Sequence, residues 1–241
     1  MNYYGPIKFI YTFDLRSNGA YKIRMIMRMF PTGLMVTMFT CTQSLFAMEF
    51  NFQPLASLCR VEVNLSTSFG SGTVRGTFSK ISGKIKFQPE KPQIARGSVT
   101  LNSRSLRFGY PIVAYDAHIP EWLDSFNHPE ISFTLQKLSA CAWHGKELRS
   151  DAIGILKIKE HQRTISLPLS IRYFRKERRK YEGKIGDLIR LEGIIILPRS
   201  QFGLAPGNMT EIIHEDITVK ISITGSSDRV RPFLPSRLFG S

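Results

Sequence analysis

The chain has 241 residues and a formal net charge of +14, from 33 lysines and arginines against 19 aspartates and glutamates. Length and composition alone allow one all-β domain or two smaller ones, but the sequence has no repeat of fixed period and no long linker, which excludes a repeat architecture and favours one domain. The surplus of positive charge favours anionic partners such as nucleic acid, membrane headgroups or acidic lipids, although a solvated basic surface that keeps the protein soluble explains it as well.

Residues 25–47 have the pattern of a secretory signal peptide. Basic residues at positions 22, 24 and 28 precede an apolar run of about a dozen residues, too short to span a bilayer as a stable helix, and the small residue Ala47 stands at the expected cleavage point. Because the stretch before Met25 is unusual for such a signal, we expect translation to begin at Met25 or one of the next two methionines. The sequence thus predicts a signal peptide with a misassigned extra N-terminus at 1–47, and a periplasmic or secreted protein. An uncleaved membrane anchor is the alternative.

Removal of residues 1–47 leaves two cysteines, Cys59 and Cys141. In an exported chain they can pair, and closing a loop of about 80 residues in this way contributes roughly 4.5 kcal/mol on the chain-entropy account. The alternative is two separate buried thiols, which behave as small hydrophobic groups. Of the two, we expect the disulfide.

From residue 61 onward most of the chain alternates polar and apolar residues, the pattern of half-buried β-strands. Glycines at positions 76 and 83 predict bulges or tight bends, and Pro168, which lacks a backbone N–H, predicts an edge or a bulge in its strand. About eight or nine strands at hairpin spacing favour an antiparallel barrel or sandwich. The predicted strands cover residues 61–66, 74–87 (two strands), 99–106, 131–136, 153–158, 164–173, 188–197 and 217–223.

One segment, residues 114–133, breaks the alternation and contains the predicted helix. Pro120 suits a first helical position, acidic residues at positions 121 and 124 favour a helix N-terminus, and Trp122 and Phe126 share an apolar face. The helix ends at His128, because the residue before a proline is pushed out of the α region. A single aromatic helix among strands indicates a plug or lid on a β-barrel.

Four segments resemble, in order, the motifs of the YceI-like family. Residues 73–85 resemble its opening V-x-G-x-F-x-x-x-x-G-x-I, and residues 116–133 resemble its D-x-H segment followed by P-x-I-x-F. Residues 154–168 are similar to its hairpin G-x-L-x-I-x-G-x-x-x-x-V-x-L-P, and residues 199–204 to R-S-D/Q-F-G. Together the four matches cover about residues 50–225.

The resemblance implies an all-β fold, an extended lipocalin-like antiparallel β-barrel of about eight strands with one short helix capping it. We expect this domain at residues 48–225, followed by a basic flexible tail at 226–241. The chain departs from the family at Glu160, where the hairpin glycine stands, and in an unusually basic insertion at residues 172–183.

The resemblance also implies an exported protein whose apolar channel holds a polyisoprenoid or fatty amphiphile. We expect it to be non-enzymatic, with no metal and no other cofactor. The residues expected to bind this ligand face the channel or stand at its mouth; they are Phe78, Phe87, Phe108, Asp116, His118, Trp122, Phe126, Phe133, Leu135, Leu167, Leu169, Ile195 and Ile221. The alternative is that the apolar side chains among them fill a closed core, as in the smallest barrels.

Asp116 and His118 stand two residues apart, a spacing at which a carboxylate can orient an imidazole. They either contact a ligand headgroup at the barrel mouth or fix the lid through structural hydrogen bonds. A hydrolase or isomerase acting on a lipid-like substrate is the rival function, although the sequence has no Gly-x-Ser-x-Gly elbow. A metal site that adds His128 is disfavoured, because the histidines are too widely spaced to form a ligand cluster.

Six basic and three aromatic residues interleave in residues 172–181. Such a pattern superficially suits nucleic acid, but an exported protein seldom meets nucleic acid, so an anionic membrane surface is the partner that the segment predicts. Of the two interpretations of this segment, we favour the alternative, a solvated hairpin tip. The sequence leaves open whether the protein forms a homodimer.

Overall fold

The computed structural model describes residues 10–15, 21–26, 47–68, 72–205 and 212–231, and the chain divides into two compact units, Met1–Phe46 and Ala47–Ser241. In the first unit, β1 (Ile10–Leu15) pairs with the antiparallel strand β2 (Tyr21–Ile26). The apolar run of the predicted signal peptide falls in residues 27–46, outside the described residues. The signal peptide and export therefore stay predictions.

The second unit contains an 11-stranded antiparallel sheet. Its strands are β3 (Met48–Asn51), β4 (Arg60–Thr67), β5 (Thr73–Phe78), β6 (Ile81–Phe87), β7 (Arg96–Asn102), β8 (Leu106–Phe108), β9 (Glu130–His144), β10 (Glu147–Ile158), β11 (His161–Phe174), β12 (Leu188–Pro198) and β13 (Ile213–Ser226). The described part of the unit also contains two short helices, α1 (Pro111–Asp116) and α2 (Arg179–Glu182). Its four 3-10 turns are at Gln53–Leu58, Pro92–Ile94, Ser103–Ser105 and Arg199–Phe202.

The sheet closes on itself into a barrel with 8 strand positions. The long strands β9 to β13 fill one position each, while β3 with β4, β5 with β6, and β7 with β8 share the other positions in consecutive pairs. The ring is closed by β13, which pairs with β12 along one edge and with β4 and β3 along the other. The predicted antiparallel barrel is confirmed.

The strands form because alternate residues are apolar and share one face of the sheet. In β11, Leu167, Leu169, Ile171 and Tyr173 are buried, while the residues between them are half-buried or exposed. Full burial of one such leucine or isoleucine contributes roughly 1.5–3 kcal/mol to the free energy of folding, because apolar surface is removed from water. The same alternation around the ring gives the barrel an apolar interior.

Gly83 of β6 takes a backbone conformation that favours glycine, while its ladder with β7 continues without a register shift. Its φ is +135°, and a Cβ at this position would lie 2.1 Å from the carbonyl oxygen of Ser98 on the neighbouring strand β7. Any side chain there would force the two strands apart, so only glycine permits this backbone approach.

The ladder between β11 and β12 runs from Phe174–Leu188 to Leu169–Gly193 and ends beside Pro168. Among the described residues, positions 161–168 of β11 and 194–198 of β12 form no strand pairing with each other, although both stretches stay paired with their other neighbours. Because proline cannot donate a ladder hydrogen bond, the irregularity predicted at Pro168 is explained.

A buried polar cluster lies at the end of the barrel that carries β3. The carboxylate of Asp187 is fully buried and accepts hydrogen bonds from the hydroxyl of Tyr173 and, at 2.8 Å each, from the backbone N–H groups of Lys176 and Arg231. The ring of Phe50 packs edge-on against Tyr173, with the ring centroids 5.9 Å apart. A buried carboxylate is tolerated here because several donors satisfy it.

The first residues of the predicted tail pack against this cluster. Ser227 is buried, and the guanidinium of Arg231 forms an ion pair with Glu90 while its backbone N–H donates to Asp187. Residues 226–231, predicted as the start of a flexible tail, therefore make specific contacts with the barrel. Residues 232–241 lie outside the described part of the chain.

The helix of the lid lies earlier in the chain than predicted. Helix α1 ends at Asp116, and residues 117–127 form successive turns instead of a helix starting at Pro120. The backbone N–H groups of Trp122 and Asp124 both donate to the carbonyl of Ile119, at 3.1 and 2.9 Å, and Asp124 adopts φ +44°. A left-handed residue at this point ends the regular ladder that a helix requires. We call residues 111–127 the lid.

The predicted disulfide is wrong, because Cys59 and Cys141 are both free thiols. Cys59 lies just before β4, with its Sγ 3.4 Å from the carbonyl oxygens of Leu55 and Thr224, whereas Cys141 lies on β9, which is not a neighbour of β4 in the sheet. Burial raises the pKa of both thiols. The alternative of two separate thiols is the correct one.

The environment of Tyr173 predicts how the free energy of unfolding changes at alkaline pH. Burial raises its pKa above the usual tyrosine value, and the hydrogen bond to Asp187 raises it further. Because the folded protein keeps a proton that the unfolded chain loses, the free energy of unfolding should fall as the pH rises past about 10.

In urea titrations followed by circular dichroism, Tyr173→Phe should therefore be less stable than the wild type at neutral pH and should lose stability less steeply at alkaline pH. Tyr181→Phe, at a tyrosine that is 59% exposed, is the matched control and should behave as the wild type. If the free energy of unfolding fell equally steeply with alkaline pH in Tyr173→Phe and in the wild type, Tyr173 would not be the group responsible.

Candidate ligand-binding cavity

The barrel encloses a cavity of about 240 Å³. Every strand from β4 to β13 contributes side chains to its wall, and α1 and the turns of the lid cover one end. The polar residues among those lining the cavity are Lys84, Ser98, Asp116 and Arg199, and the others are apolar or glycine. The inward side chains therefore leave an apolar space, which argues against a completely filled core.

Most of the residues predicted to bind a ligand do line this cavity. They are Phe78, Phe108, Asp116, Trp122, Phe133, Leu135, Leu167, Leu169, Ile195 and Ile221. Phe87, His118 and Phe126 do not. Phe87 is fully buried beside Met48 near the polar cluster. His118 belongs to the lid and faces a depression outside the cavity, and Phe126 is 80% exposed, because the turns that replace the predicted helix direct it to solvent.

The set of ligand-binding residues predicted from the sequence left out some residues that line the cavity, although the strands on which they lie were predicted. Leu191 on β12 lies four residues from Ile195, and Ile217 and Val219 on β13 lie four and two residues from Ile221; all of them line the cavity. Side chains alternate across a strand, so one correctly placed residue fixes the phase of the others. The alternation of polar and apolar residues in the sequence could therefore have identified these lining residues.

The R-S-Q-F-G segment holds the lid through a fully buried arginine. The guanidinium of Arg199 lies 5.6 Å from the ring centroid of Trp122, and its Nη1 donates to the carbonyl oxygens of Leu204, at 2.9 Å, and Ala205. The backbone N–H of Ala205 in turn donates to the carbonyl of Glu121 at 2.6 Å. Since a buried cation is stable only with such partners, these contacts connect the lid to the turn after β12. The sequence analysis identified the motif but did not predict that Arg199 would hold the lid.

The turn between β10 and β11 makes a second connection to the lid. Lys159 takes φ +53°, and its Nζ donates to the carbonyl oxygens of Pro120, at 2.9 Å, and Gly203, at 3.3 Å. Glu160, which stands where the family has glycine, lies 3.2 Å from Nε2 of His128. The departure from the family pattern is therefore accommodated, because Lys159 takes the positive φ.

His118 fixes the lid from its outer side and does not pair with Asp116. Its Nε2 lies 3.1 Å from the carbonyl oxygen of Leu106, and its Nδ1 lies 2.8 Å from the hydroxyl of Ser125. Because a carbonyl oxygen only accepts, Nε2 carries a proton and donates to Leu106, while Nδ1 and the hydroxyl of Ser125 form the second hydrogen bond. Both ring nitrogens are engaged, so the structural alternative for His118 is the correct one, while Asp116 lines the cavity.

Several basic side chains of segment 172–181 form ion pairs within the protein. The guanidinium of Arg172 pairs with Glu147 at 2.9 Å, and that of Arg178 pairs with Glu182 at 2.6 Å. Arg178 is only 4% exposed. The charge that this segment offers to an anionic partner is therefore smaller than the sequence suggests.

Within the described residues, no three or more histidine, cysteine, aspartate or glutamate side chains are grouped to hold a metal ion. None of the described helices has the length and apolar character needed to cross a membrane.

The closed antiparallel ring, the apolar cavity and the short lid define the class of protein as a lipocalin-like barrel. Comparison with known families narrows this class, because the sequence profile of the YceI-like domain matches residues 50–225. The chain therefore belongs to the YceI-like domain family. No curated protein matches the chain significantly.

Solved structures share the fold at low sequence identity. BcnA of Burkholderia cenocepacia is 19% identical with a TM-score of 0.58, and the match covers 70% of this chain and 97% of BcnA. The YceI protein of Campylobacter jejuni is 18% identical with a TM-score of 0.57, and the match covers 67% of this chain and 89% of that protein. A polyisoprenoid-binding domain from Saccharophagus degradans, implicated in plant cell wall breakdown, is 11% identical with a TM-score of 0.55, and the match covers 75% of this chain and 99% of that domain.

His118 should contribute to stability rather than to chemistry. Removing its ring by His118→Ala leaves the buried hydroxyl of Ser125 and the buried carbonyl of Leu106 without these partners, which should lower the free energy of unfolding by about 1–3 kcal/mol. Asp116→Asn is the matched control and should leave it nearly unchanged. Urea unfolding measures both, and a His118→Ala protein as stable as the wild type would contradict the assignment.

Proposed function

We propose that the protein is an exported, non-enzymatic carrier that holds an amphiphilic isoprenoid or fatty chain in the barrel cavity. The observation that carries this proposal is the enclosed cavity itself, whose wall is apolar on every strand that contributes to it. Binding sites for lipid-like molecules are concave, mostly apolar and preformed, with few polar groups to orient the ligand. The polyisoprenoid-binding domain among the structural neighbours supports the isoprenoid class.

The energetics of burial support a useful affinity. A chain with about a dozen buried methylene groups contributes roughly 10 kcal/mol, at about 0.8 kcal/mol per group. Association costs of about 4 kcal/mol leave about 6 kcal/mol, which corresponds to a dissociation constant of tens of micromolar. No hydrogen bond or ion pair with the chain is required for binding of that strength.

The polar end of the amphiphile belongs at the lid. Asp116 of α1 lines the cavity there, and the guanidinium of Arg199 lies beneath Trp122 at the same end. At the opposite end the ring contact of Phe50 with Tyr173 and the donors around Asp187 fill the space. A hydroxyl-bearing headgroup directed toward Asp116 fits this polarity.

The rival enzymatic function has little support in the geometry. It requires a free imidazole beside Asp116, whereas both nitrogens of His118 are engaged with Ser125 and Leu106. Export is proposed from the basic and apolar pattern of residues 22–47, which places the carrier in the periplasm or outside the cell.

The proposal is tested first by extraction. The protein purified from the compartment to which it is exported should release a stoichiometric isoprenoid or fatty species into organic solvent, identified by mass spectrometry. An empty extract, together with failure of the protein to bind added farnesol or fatty acid, would overturn the proposal.

A cavity variant gives a second test. Phe133→Asp places a carboxylate in the apolar wall and should weaken binding of a dansyl-labelled fatty acid by roughly a hundredfold, since the charge must be desolvated when the chain enters. Phe174→Asp, on a strand residue that is 37% exposed, is the control and should bind normally.

Circular dichroism must show that both variants are folded. If Phe133→Asp does not fold, Leu167→Trp provides a neutral variant that fills the same cavity and should also block the chain. Unchanged affinity in a folded cavity variant would show that the ligand binds elsewhere.

A further inference from the structure

The lid has a second apolar face, which is turned to solvent. Four large side chains form it. Tyr110, which directly precedes α1, is 64% exposed, and Ile112 and Tyr115 of α1 are 77% and 73% exposed. Phe126, near the end of the lid, is 80% exposed. We call these four residues the outer lid face. They are large apolar or aromatic side chains, and exposed groups of this kind mark interaction sites on soluble proteins.

The outer lid face is separate from the cavity but built on the same helix. Val113 and Asp116 of α1 line the cavity, whereas Ile112 and Tyr115, three residues apart and therefore neighbours on the helix surface, are exposed. The lid thus has the cavity on one side and solvent on the other.

Two arginines border the outer lid face. Arg104, Arg107, Tyr115 and Phe126 share one shallow depression. The guanidinium of Arg104 lies 5.4 Å from the ring centroid of Phe126 and donates to the carbonyl oxygens of Ser125, at 2.9 Å, and Phe126, at 3.1 Å.

Arg107 adds a second fixed cation to this border. Its Nη1 donates to the carbonyl oxygens of Arg104, at 2.6 Å, and Leu106, at 2.8 Å. Both arginines are exposed, and these hydrogen bonds go to neutral backbone carbonyls. The positive charges therefore stay available beside the apolar side chains.

We propose that the outer lid face docks on an anionic phospholipid surface. Apolar and aromatic side chains enter the interfacial layer while adjacent cations meet phosphate groups, which is the pattern of peripheral membrane contact. The two arginines supply the charge complementarity, and the surplus of basic over acidic residues adds attraction at longer range. The proposal rests on the proposed function in one respect: docking brings the lid of the lipid-binding cavity to the membrane.

The test is sedimentation of the full chain with vesicles of phosphatidylglycerol and phosphatidylcholine, compared with vesicles of phosphatidylcholine alone. The wild type should bind the anionic vesicles, and its binding should weaken as salt is raised. The double variant Ile112→Ser with Tyr115→Ser should lose about tenfold or more in partitioning, since two interfacial side chains are removed. Arg104→Gln with Arg107→Gln should lose affinity and most of the salt dependence.

Two control variants locate the surface. Ile194→Ser with Ile196→Ser alters exposed residues on the outside of β12, 55% and 60% exposed, and should bind as the wild type. Tyr181→Ser with Ile185→Ser alters one residue of the basic insertion and one just after it, 59% and 72% exposed, and should also bind normally. Equal loss in either control, or no binding of the wild type to anionic vesicles, would overturn the proposal.

A second measurement separates this proposal from the proposed function. The outer lid face variants should bind a dansyl-labelled fatty acid in solution as tightly as the wild type, because Ile112 and Tyr115 are not among the residues lining the cavity. Normal binding of the fatty acid without vesicle binding by the wild type would overturn docking alone. Vesicle binding that depends on the outer lid face, in a protein whose cavity binds no lipid, would overturn the carrier function alone.

Discussion

The rest of the structure depends on one constraint: the antiparallel sheet closes into a ring around apolar side chains that do not fill the centre of the barrel. Because β13 meets β12 on one edge and β4 on the other, the interior side chains of each strand face those of other strands. Atoms that line an empty space have fewer contact partners than atoms in a packed core. A chain that fills this space therefore gains contacts that the protein alone does not provide.

The two ends of the barrel are closed in different ways. At one end the carboxylate of Asp187 collects donors from β11, the following turn and the segment after β13, so the elements that meet there share one buried acceptor. At the other end Arg199, Lys159 and His118 each bind the lid or its neighbouring turns largely through backbone carbonyls. Together with the burial of Trp122 and Leu123 in the core, such contacts fix the lid at the end of the cavity where we propose that the headgroup binds.

The alternation of polar and apolar residues was sufficient for antiparallel strands in a barrel or a sandwich, because it acts through the backbone and within a few residues of each position. The resemblance to the YceI-like family decided for the barrel. The lid helix was misplaced because the left-handed conformation of Asp124 has no cue in the neighbouring residues. The role of Arg199 was missed for a different reason, since its partners are carbonyl groups of distant turns, which every residue possesses. The disulfide failed because cysteine count carries no information about which strands become neighbours.

The width of the cavity depends on glycines in the barrel wall. A Cβ at Gly154 would lie 2.6 Å from the ring of Phe133, and one at Gly76 would lie 2.6 Å from the ring of Phe108. Both rings line the cavity, so each lies against the wall over a residue that has no side chain. A larger residue at either position would displace a ring, and the apolar interior would lose the shape that accommodates a slender chain. These glycines fall in two of the segments that resemble the family, so the same residues that shape the barrel also set the size of its cavity.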